Sequence, residues 1–112
     1  MKRADVVLVD FPYSDGTGSK LRPALVVQAD FLNGLINDTV LVSITRTVRP
    51  ASQTEALIEI SRESRSGLRH DSVVTCTNFI TMDQALVYRT IGALSKTTMD
   101  EVDRRLRTAL AL

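Results

Sequence analysis

The sequence contains no tryptophan, a single histidine, His70, and a single cysteine, Cys76. One cysteine excludes an internal disulfide and leaves no cysteine-rich metal site, which points to the reducing cytoplasm. No spacing of histidine and carboxylate residues suits a metal ion, and there is no phosphate-binding glycine loop or serine hydrolase motif. We therefore expect no metal and no cofactor, and any chemistry must use arginine, threonine, serine and backbone donors.

Long hydrophobic runs are also missing. No stretch approaches the ~20 apolar residues that a membrane helix needs, and the residues before the first predicted strand do not have the pattern of a signal peptide. The length of 112 residues, with 44% hydrophobic and 24% charged residues, fits one globular domain spanning 1–112. We expect no contact with a membrane.

The net charge is only +1, so no global field attracts a polyanion. Positive charge is concentrated locally instead. Residues 16–22 contain Lys20 and Arg22 and no acid, and residues 45–53 contain Arg46 and Arg49 and no acid. These two loops either meet a phosphate chain or are simply solvated.

The hydrophobic pattern predicts a mainly β protein. Apolar or alternating stretches indicate five strands, at residues 6–9 with Phe11, 24–27, 39–44, 55–60 and 72–79. Residues 30–38 form a connection with a helical turn, and residues 84–94 add a short extended or helical stretch. Short strands followed by one helix favour a small, strongly bent antiparallel sheet or barrel.

The C-terminal residues change to a helical period, and Met99, Val102 and Leu106 mark the apolar face. Thr98 and Glu101 have the spacing of a capping box at the start of this helix. We interpret its arginines as a solvated face: Arg104, Arg105 and Arg107.

The most specific stretch joins Arg22 to a buried strand through Pro23, whose ring holds Arg22 in an extended conformation. RNA carries its own nucleophile, the 2′-hydroxyl, so a protein need only align it and neutralise charge on the phosphate. The planar fork of arginine matches phosphate, and a threonine hydroxyl donates a further hydrogen bond. The residue types present therefore suit metal-free cleavage of RNA.

Several segments resemble the MazF/PemK toxins: residues 5–12 (DVVLVDFP), 22–27 (RPALVV), 67–68 (GL), 71–74 (DSVV) and 91–95 (IGALS). The resemblance implies a mainly β, SH3-like antiparallel barrel of the CcdB/PemK type with a C-terminal α-helix. It also implies a homodimer that acts as a metal-independent, sequence-specific endoribonuclease of a type II toxin–antitoxin system. A cognate antitoxin is expected to cover the RNA site with its C-terminal segment.

In that family the catalytic pair maps onto Arg22 and Thr45, and the products carry a 2′,3′-cyclic phosphate and a 5′-hydroxyl. The pKa of arginine lies above ~12, which favours Arg22 as a phosphate clamp rather than a base. The residues that we expect to contact single-stranded mRNA are Tyr13, Ser19, Lys20, Arg46, Thr47 and Asn78.

Other interpretations stay open. Tyr13 stacks on a base or covers the barrel edge, and His70 is a solvated turn residue or a general acid–base group. Cys76 is expected to be buried. Thr75 and Thr77 stand where one branch of the family has an arginine and an aspartate.

Two other function classes remain. A gyrase-binding toxin of the CcdB type depends on a C-terminal Trp-Gly-Ile, whereas this sequence ends in Ala-Leu-Ala-Leu. An inactive relic of the same fold would bind RNA without cutting it.

Overall fold

The computed structural model describes residues 1–12, 18–47 and 49–112. Within these ranges the chain forms six strands, two α-helices and one 3₁₀ turn. The elements are β1 (Asp5–Pro12), β2 (Ser19–Val26), α1 (Asp30–Asn33), β3 (Asp38–Arg46), β4 (Glu55–Ile58), β5 (Ser72–Asp83), the 3₁₀ turn (Gln84–Leu86), β6 (Arg89–Ala93) and α2 (Lys96–Leu110).

The five predicted strands are present, and their ends differ from the prediction. β2 begins at Ser19 instead of residue 24, so the Arg-Pro pair lies inside the strand. β5 continues to Asp83, and β4 stops at Ile58. The stretch 84–94, predicted as extended or helical, contains both the 3₁₀ turn and the sixth strand.

All strand pairs are antiparallel, and the sheet order is β4-β5-β3-β2-β1-β6. One buried cluster contains Ala56 and Ile58 from β4 at one edge and Leu94, which follows β6 at the other edge. Because both edges reach the same core, the sheet curls into a half-barrel. The expected mainly β, small barrel-like fold is confirmed.

The central strands are buried on both faces. Val6, Leu25 and Val42 belong to the first cluster, whereas Val7 and Ala24, their neighbours in sequence, belong to a second. This explains the continuously apolar runs, because successive residues of a strand point to opposite faces. The lone Cys76 is fully buried in the first cluster, as expected, and burial raises the pKa of its thiol to about 11.

Helix α2 closes the first cluster with Met99 and Val102, which pack against β4 and β5. The predicted capping box is wrong. The N-cap is Ser95, whose hydroxyl accepts a hydrogen bond from the Thr98 backbone N–H at 3.3 Å. Glu101, predicted to cap the helix, lies inside it and pairs with arginines one turn further along. Among the described residues, no helix is long and apolar enough to cross a bilayer.

The arginines of α2 are not a uniformly solvated face. Arg104 and Arg107 are exposed, as predicted. Arg105 is half-buried because it donates to Glu101 at 2.7 Å and to the backbone carbonyl of Gln53 at 3.1 Å. It therefore fixes the helix to the segment that precedes β4.

A turn between β4 and β5 packs directly on the backbone of β6. The buried Glu63 carboxylate accepts a hydrogen bond from Ser95 N–H at 2.7 Å, and the Arg65 carbonyl accepts one from Ala93 N–H at 2.9 Å. Two glycines permit this approach. A Cβ on Gly92 would lie 2.1 Å from the Arg65 oxygen, and one on Gly67, at φ +74°, would lie 2.2 Å from the Ile91 oxygen.

We predict that Gly92→Ala lowers the free energy of unfolding by about 2–3 kcal/mol, because the added methyl overlaps a backbone carbonyl that cannot move freely. Urea unfolding measures this change. Gly34→Ala is the matched control, since its Cβ would meet no atom closer than 3.7 Å. The control should be unchanged or gain up to about 1 kcal/mol, and equal effects of the two substitutions would contradict the packing described here.

Candidate active site

The sheet splits between β2 and β3. Their pairing runs from Val26 and Leu41 to Ala24 and Ser43, and no further pair joins them among the described residues. Beyond that point β2 stays paired with β1 as far as Ser19. Likewise, β3 stays paired with β5 as far as Arg46. The two strands therefore part while each keeps its other neighbour.

Pro23 is the residue at which the split begins. It lacks a backbone N–H, so it removes one hydrogen bond from the ladder and is tolerated best where a strand has a free edge. The sequence thus places a proline where β2 ceases to pair with β3. The same residue keeps its neighbour Arg22 extended.

A cleft of about 740 Å³ fills this split. Its walls come from five parts of the chain, including Leu8 of β1. The lining residues that carry charge or hydroxyl groups are Lys20 and Arg22 of β2, Thr45 and Arg46 of β3, Arg69 and His70 of the turn before β5, Ser72 at the start of β5, and Arg89 and Thr90 of β6.

Both residues of the predicted catalytic pair line this cleft. The register that joins Ala24 to Ser43 places Arg22 opposite Thr45 when it is continued by two residues. In a continuous ladder such positions stand roughly 5 Å apart at Cβ, and the split increases that spacing. Both residues line the cleft, Arg22 half-buried and Thr45 exposed. A guanidinium and a hydroxyl thus face one space from two strands.

The cleft is strongly cationic. None of the described lining residues is an acid, and five are lysine or arginine: Lys20, Arg22, Arg46, Arg69 and Arg89. Sequence reasoning missed Arg69 and Arg89. Arg89 reaches the cleft because β6 pairs with β1 next to β2, with Arg89 opposite Leu8. The position of Arg89 follows only from the sheet order, and no local sequence motif marks Arg69 or Arg89.

The predicted RNA-binding residues are not all found at the cleft. Lys20 and Arg46 line the cleft, and Thr47 lines an adjoining groove that shares Arg46, Arg69 and His70 with it. Ser19 begins β2 opposite Pro12. Tyr13 lies outside the described residues.

Asn78 is not brought to the cleft. It donates a hydrogen bond to the Ser43 hydroxyl at 3.1 Å, beside a β-bulge that interrupts the pairing of β3 with β5. Thr75 and Thr77 also lie outside the residues that line the cleft, to which β5 contributes Ser72. The family-like contribution from this strand therefore has no counterpart in the cleft walls.

The structure corrects the interpretation of residues 45–53 as a segment with unopposed positive charge, because Arg49 has an acidic partner. Arg49 donates to the two carboxylate oxygens of Glu55 at 2.7 and 3.0 Å, and the Ser52 backbone N–H donates to the same carboxylate at 2.9 Å. The hydrogen bonds from Arg49, followed by the one from Ser52, lower the pKa of the buried Glu55 to about 2. Arg49 is thus neutralised by an acid just beyond residues 45–53. Of the two arginines in this segment, Arg46 is the one that lines the cleft.

We predict that Glu55 makes stability depend on pH. Its pKa in the folded state lies below the ordinary value, so its contribution is complete above about pH 4.5 and is lost as the pH falls toward about 2. Glu55→Gln should therefore destabilise the protein at neutral pH, with a difference from wild type that shrinks over this interval. Urea unfolding at a series of pH values measures it.

Glu59→Gln is the control, because the Glu59 carboxylate is 41% exposed and lies 3.9 Å from Arg62. Exposed pairs of this kind contribute little to stability. A constant difference between Glu55→Gln and wild type from neutral pH to pH 2 would contradict the role of the ionised carboxylate.

Comparison with known proteins identifies the family. Residues 2–110 match the model of the PemK-like, MazF-like toxins of type II toxin–antitoxin systems. The chain belongs to this family. Endoribonuclease EndoA of Bacillus subtilis is 31% identical over 113 residues, covering 100% of this chain and 96% of that protein. Endoribonuclease MazF6 of Mycobacterium tuberculosis is 32% identical over 114 residues, covering 100% and 98%.

Solved structures of MazF-like toxins share the fold. An endoribonuclease in complex with its cognate antitoxin, from a mycobacterial species, matches with a TM-score of 0.82 at 25% identity, covering 100% of this chain and 96% of that chain. The toxin of a MazE–MazF complex from Deinococcus radiodurans matches with a TM-score of 0.75 at 18% identity, covering 100% and 97%, which supports the fold alone. The resemblance to MazF/PemK toxins is confirmed.

Proposed function

We propose that this chain, a MazF-like endoribonuclease toxin of a type II toxin–antitoxin system, cuts single-stranded RNA at specific sequences without a metal ion. A ribose 2′-hydroxyl attacks the adjacent phosphate, leaving a 2′,3′-cyclic phosphate and a 5′-hydroxyl. The observation that carries this proposal is that Arg22 and Thr45, on two strands that part, line one cationic cleft.

Arg22 acts as the clamp on the scissile phosphate. Its backbone is held by the pairing of β2 with β1, on the side of β2 away from the split. The side chain is half-buried. A guanidinium binds two phosphoryl oxygens at once and stays protonated at neutral pH. It therefore stabilises the negative charge that grows as the phosphorus becomes five-coordinate.

Thr45 supplies a hydroxyl from the facing strand. It is paired with Val73 of β5, so its backbone is held in the sheet while its side chain is exposed to the cleft. A hydroxyl at this place donates a hydrogen bond to a phosphoryl oxygen. Two donors on opposite walls fix the orientation of the phosphate, which aligns the 2′-hydroxyl with the leaving 5′-oxygen.

The remaining cations hold the nucleotides on either side. Lys20, Arg46, Arg69 and Arg89 surround the clamp on separate elements, and the adjoining groove extends the path past Thr47. Phosphate contacts give affinity without sequence preference. Specificity then comes from unstacked bases gripped by loops, as is usual for single-stranded RNA. Contacts of Tyr13, Ser19 and Asn78 with RNA remain predictions.

The same charge suits an inhibitor. A mycobacterial relative is known in complex with its cognate antitoxin. For this chain we expect a homodimer in the cytoplasm whose cognate antitoxin covers the cleft with its C-terminal segment. A segment with carboxylates would replace the RNA phosphates there, since the described walls hold five cations and no acid.

Incubation of the purified protein with a mixed RNA pool in EDTA tests the proposed function. Discrete fragments with cyclic phosphate and 5′-hydroxyl ends are expected, and substitution of the 2′-hydroxyl at the cut site by hydrogen should abolish cleavage. Binding without cleavage would favour the inactive relic. Loss of cleavage in EDTA that is restored by a divalent ion would contradict the metal-free mechanism.

We predict that Arg22→Ala lowers the cleavage rate by about 10²–10³-fold or more, and that Thr45→Ala costs about 2–4 kcal/mol of transition-state stabilisation. Arg22→Lys should recover little, because an ammonium cannot bind two oxygens in the same plane. Single-turnover cleavage rates measure these effects.

Arg62→Gln is the matched control, since this guanidinium is 80% exposed and lies outside the residues that line the cleft. It should cleave at the wild-type rate. Wild-type rates for Arg22→Ala would remove this residue from the mechanism.

A further inference from the structure

The proposed reaction lacks one participant. As the bond from O2′ to phosphorus forms, the 2′-hydroxyl must give up its proton, and as the bond from phosphorus to O5′ breaks, the leaving oxygen must gain one. The described walls of the cleft offer many donors: five cations and the hydroxyls of Thr45, Ser72 and Thr90. The described walls contain no carboxylate, so a group that can accept the proton of the 2′-hydroxyl has to be found among the other lining residues.

We propose that His70 is the general base of the cleft and accepts the proton of the 2′-hydroxyl, an inference that rests on the proposed function. Arginine and lysine are protonated at neutral pH, and serine and threonine hydroxyls are too weakly basic. Imidazole is the side chain among the described lining residues whose ordinary pKa lies near neutrality.

The position of His70 supports this role. Its side chain is exposed, as the sequence predicted for a turn residue, and it lines both the main cleft and the adjoining groove. It therefore lies where the two join, on the path proposed for RNA. The charged residues that line the cleft or the groove together with His70 are Lys20 and Arg22 on β2, Arg46 on β3, Arg89 on β6, and Arg69 and Asp71 on its own turn.

The backbone around His70 is held firmly. The Ser72 hydroxyl donates to the His70 carbonyl at 2.9 Å, and Thr47 N–H donates to the Asp71 carbonyl at 3.1 Å. The Asp71 carboxylate accepts a hydrogen bond from Ile60 N–H at 3.0 Å. An exposed side chain on an anchored backbone is the arrangement expected of a preorganised functional group.

The proton of the 2′-hydroxyl passes to the free ring nitrogen of neutral His70, the electron pair of that O–H bond forms the new bond to phosphorus, and the O5′ bond breaks. The leaving 5′-oxygen takes a proton from water, and the imidazolium later returns its proton to solvent. Arg22 and Thr45 neutralise the phosphoryl oxygens throughout.

Single-turnover cleavage between about pH 5 and 9 tests the proposal. The wild-type rate should rise with pH and then level off, because a general base acts in its deprotonated form. His70→Gln should cleave about 10²–10⁴-fold more slowly, and its rate should no longer rise with pH. His70→Arg provides a cation that cannot accept a proton at neutral pH, so it should be as slow as His70→Gln. Added imidazole should restore cleavage by His70→Ala. Affinity for RNA lacking the scissile 2′-hydroxyl should stay near wild type in His70→Gln.

Two outcomes would overturn the inference while leaving the proposed function intact. One is cleavage by His70→Arg at the wild-type rate, which would make His70 a phosphate contact. The other is a wild-type pH profile in His70→Gln. Absence of cleavage by the wild-type protein would instead overturn the proposed function, and the general base with it.

Discussion

The structure depends on the end of the hydrogen-bond ladder between β2 and β3. Past Ala24 and Ser43 each strand keeps only its outer partner, so the sheet opens without losing its fold. Pro23, which has no N–H to donate, lies at that point. A cleft formed by parted strands has rigid walls, and rigid walls are what a phosphate clamp needs, because misplaced groups contribute little to catalysis.

The cleft gathers charge that the chain as a whole does not have. The net charge is +1, yet the described walls contain five cations and no acid. Two buried acids elsewhere have structural partners instead. Glu55 neutralises Arg49, and Glu63 is buried where it binds the start of α2. This segregation lets a nearly neutral protein present a polyanion site, and it confines electrostatic attraction to the place where phosphate is proposed to bind.

Much of the fold could be predicted from sequence, because apolar β-branched runs and a final helical period are local signals. The prediction of Arg22 and Thr45 as the catalytic pair came from the resemblance. Contacts between distant residues could not be predicted. The helix cap is Ser95 rather than Thr98, and the Ser95 N–H donates to Glu63, which is far away in sequence. β6 has no strong period, so Arg89 could not be placed, and the pairing of Arg49 with Glu55 needed the loop geometry.

The most direct test of the central claim is a map of backbone amide shifts on adding RNA that lacks the scissile 2′-hydroxyl. The account predicts the largest shifts at both sides of the split, in residues 20–22 and 45–47, together with 69–70 and 89–90. Shifts confined to the α2 surface, with these residues unchanged, would contradict it, because RNA would then bind away from the parted strands.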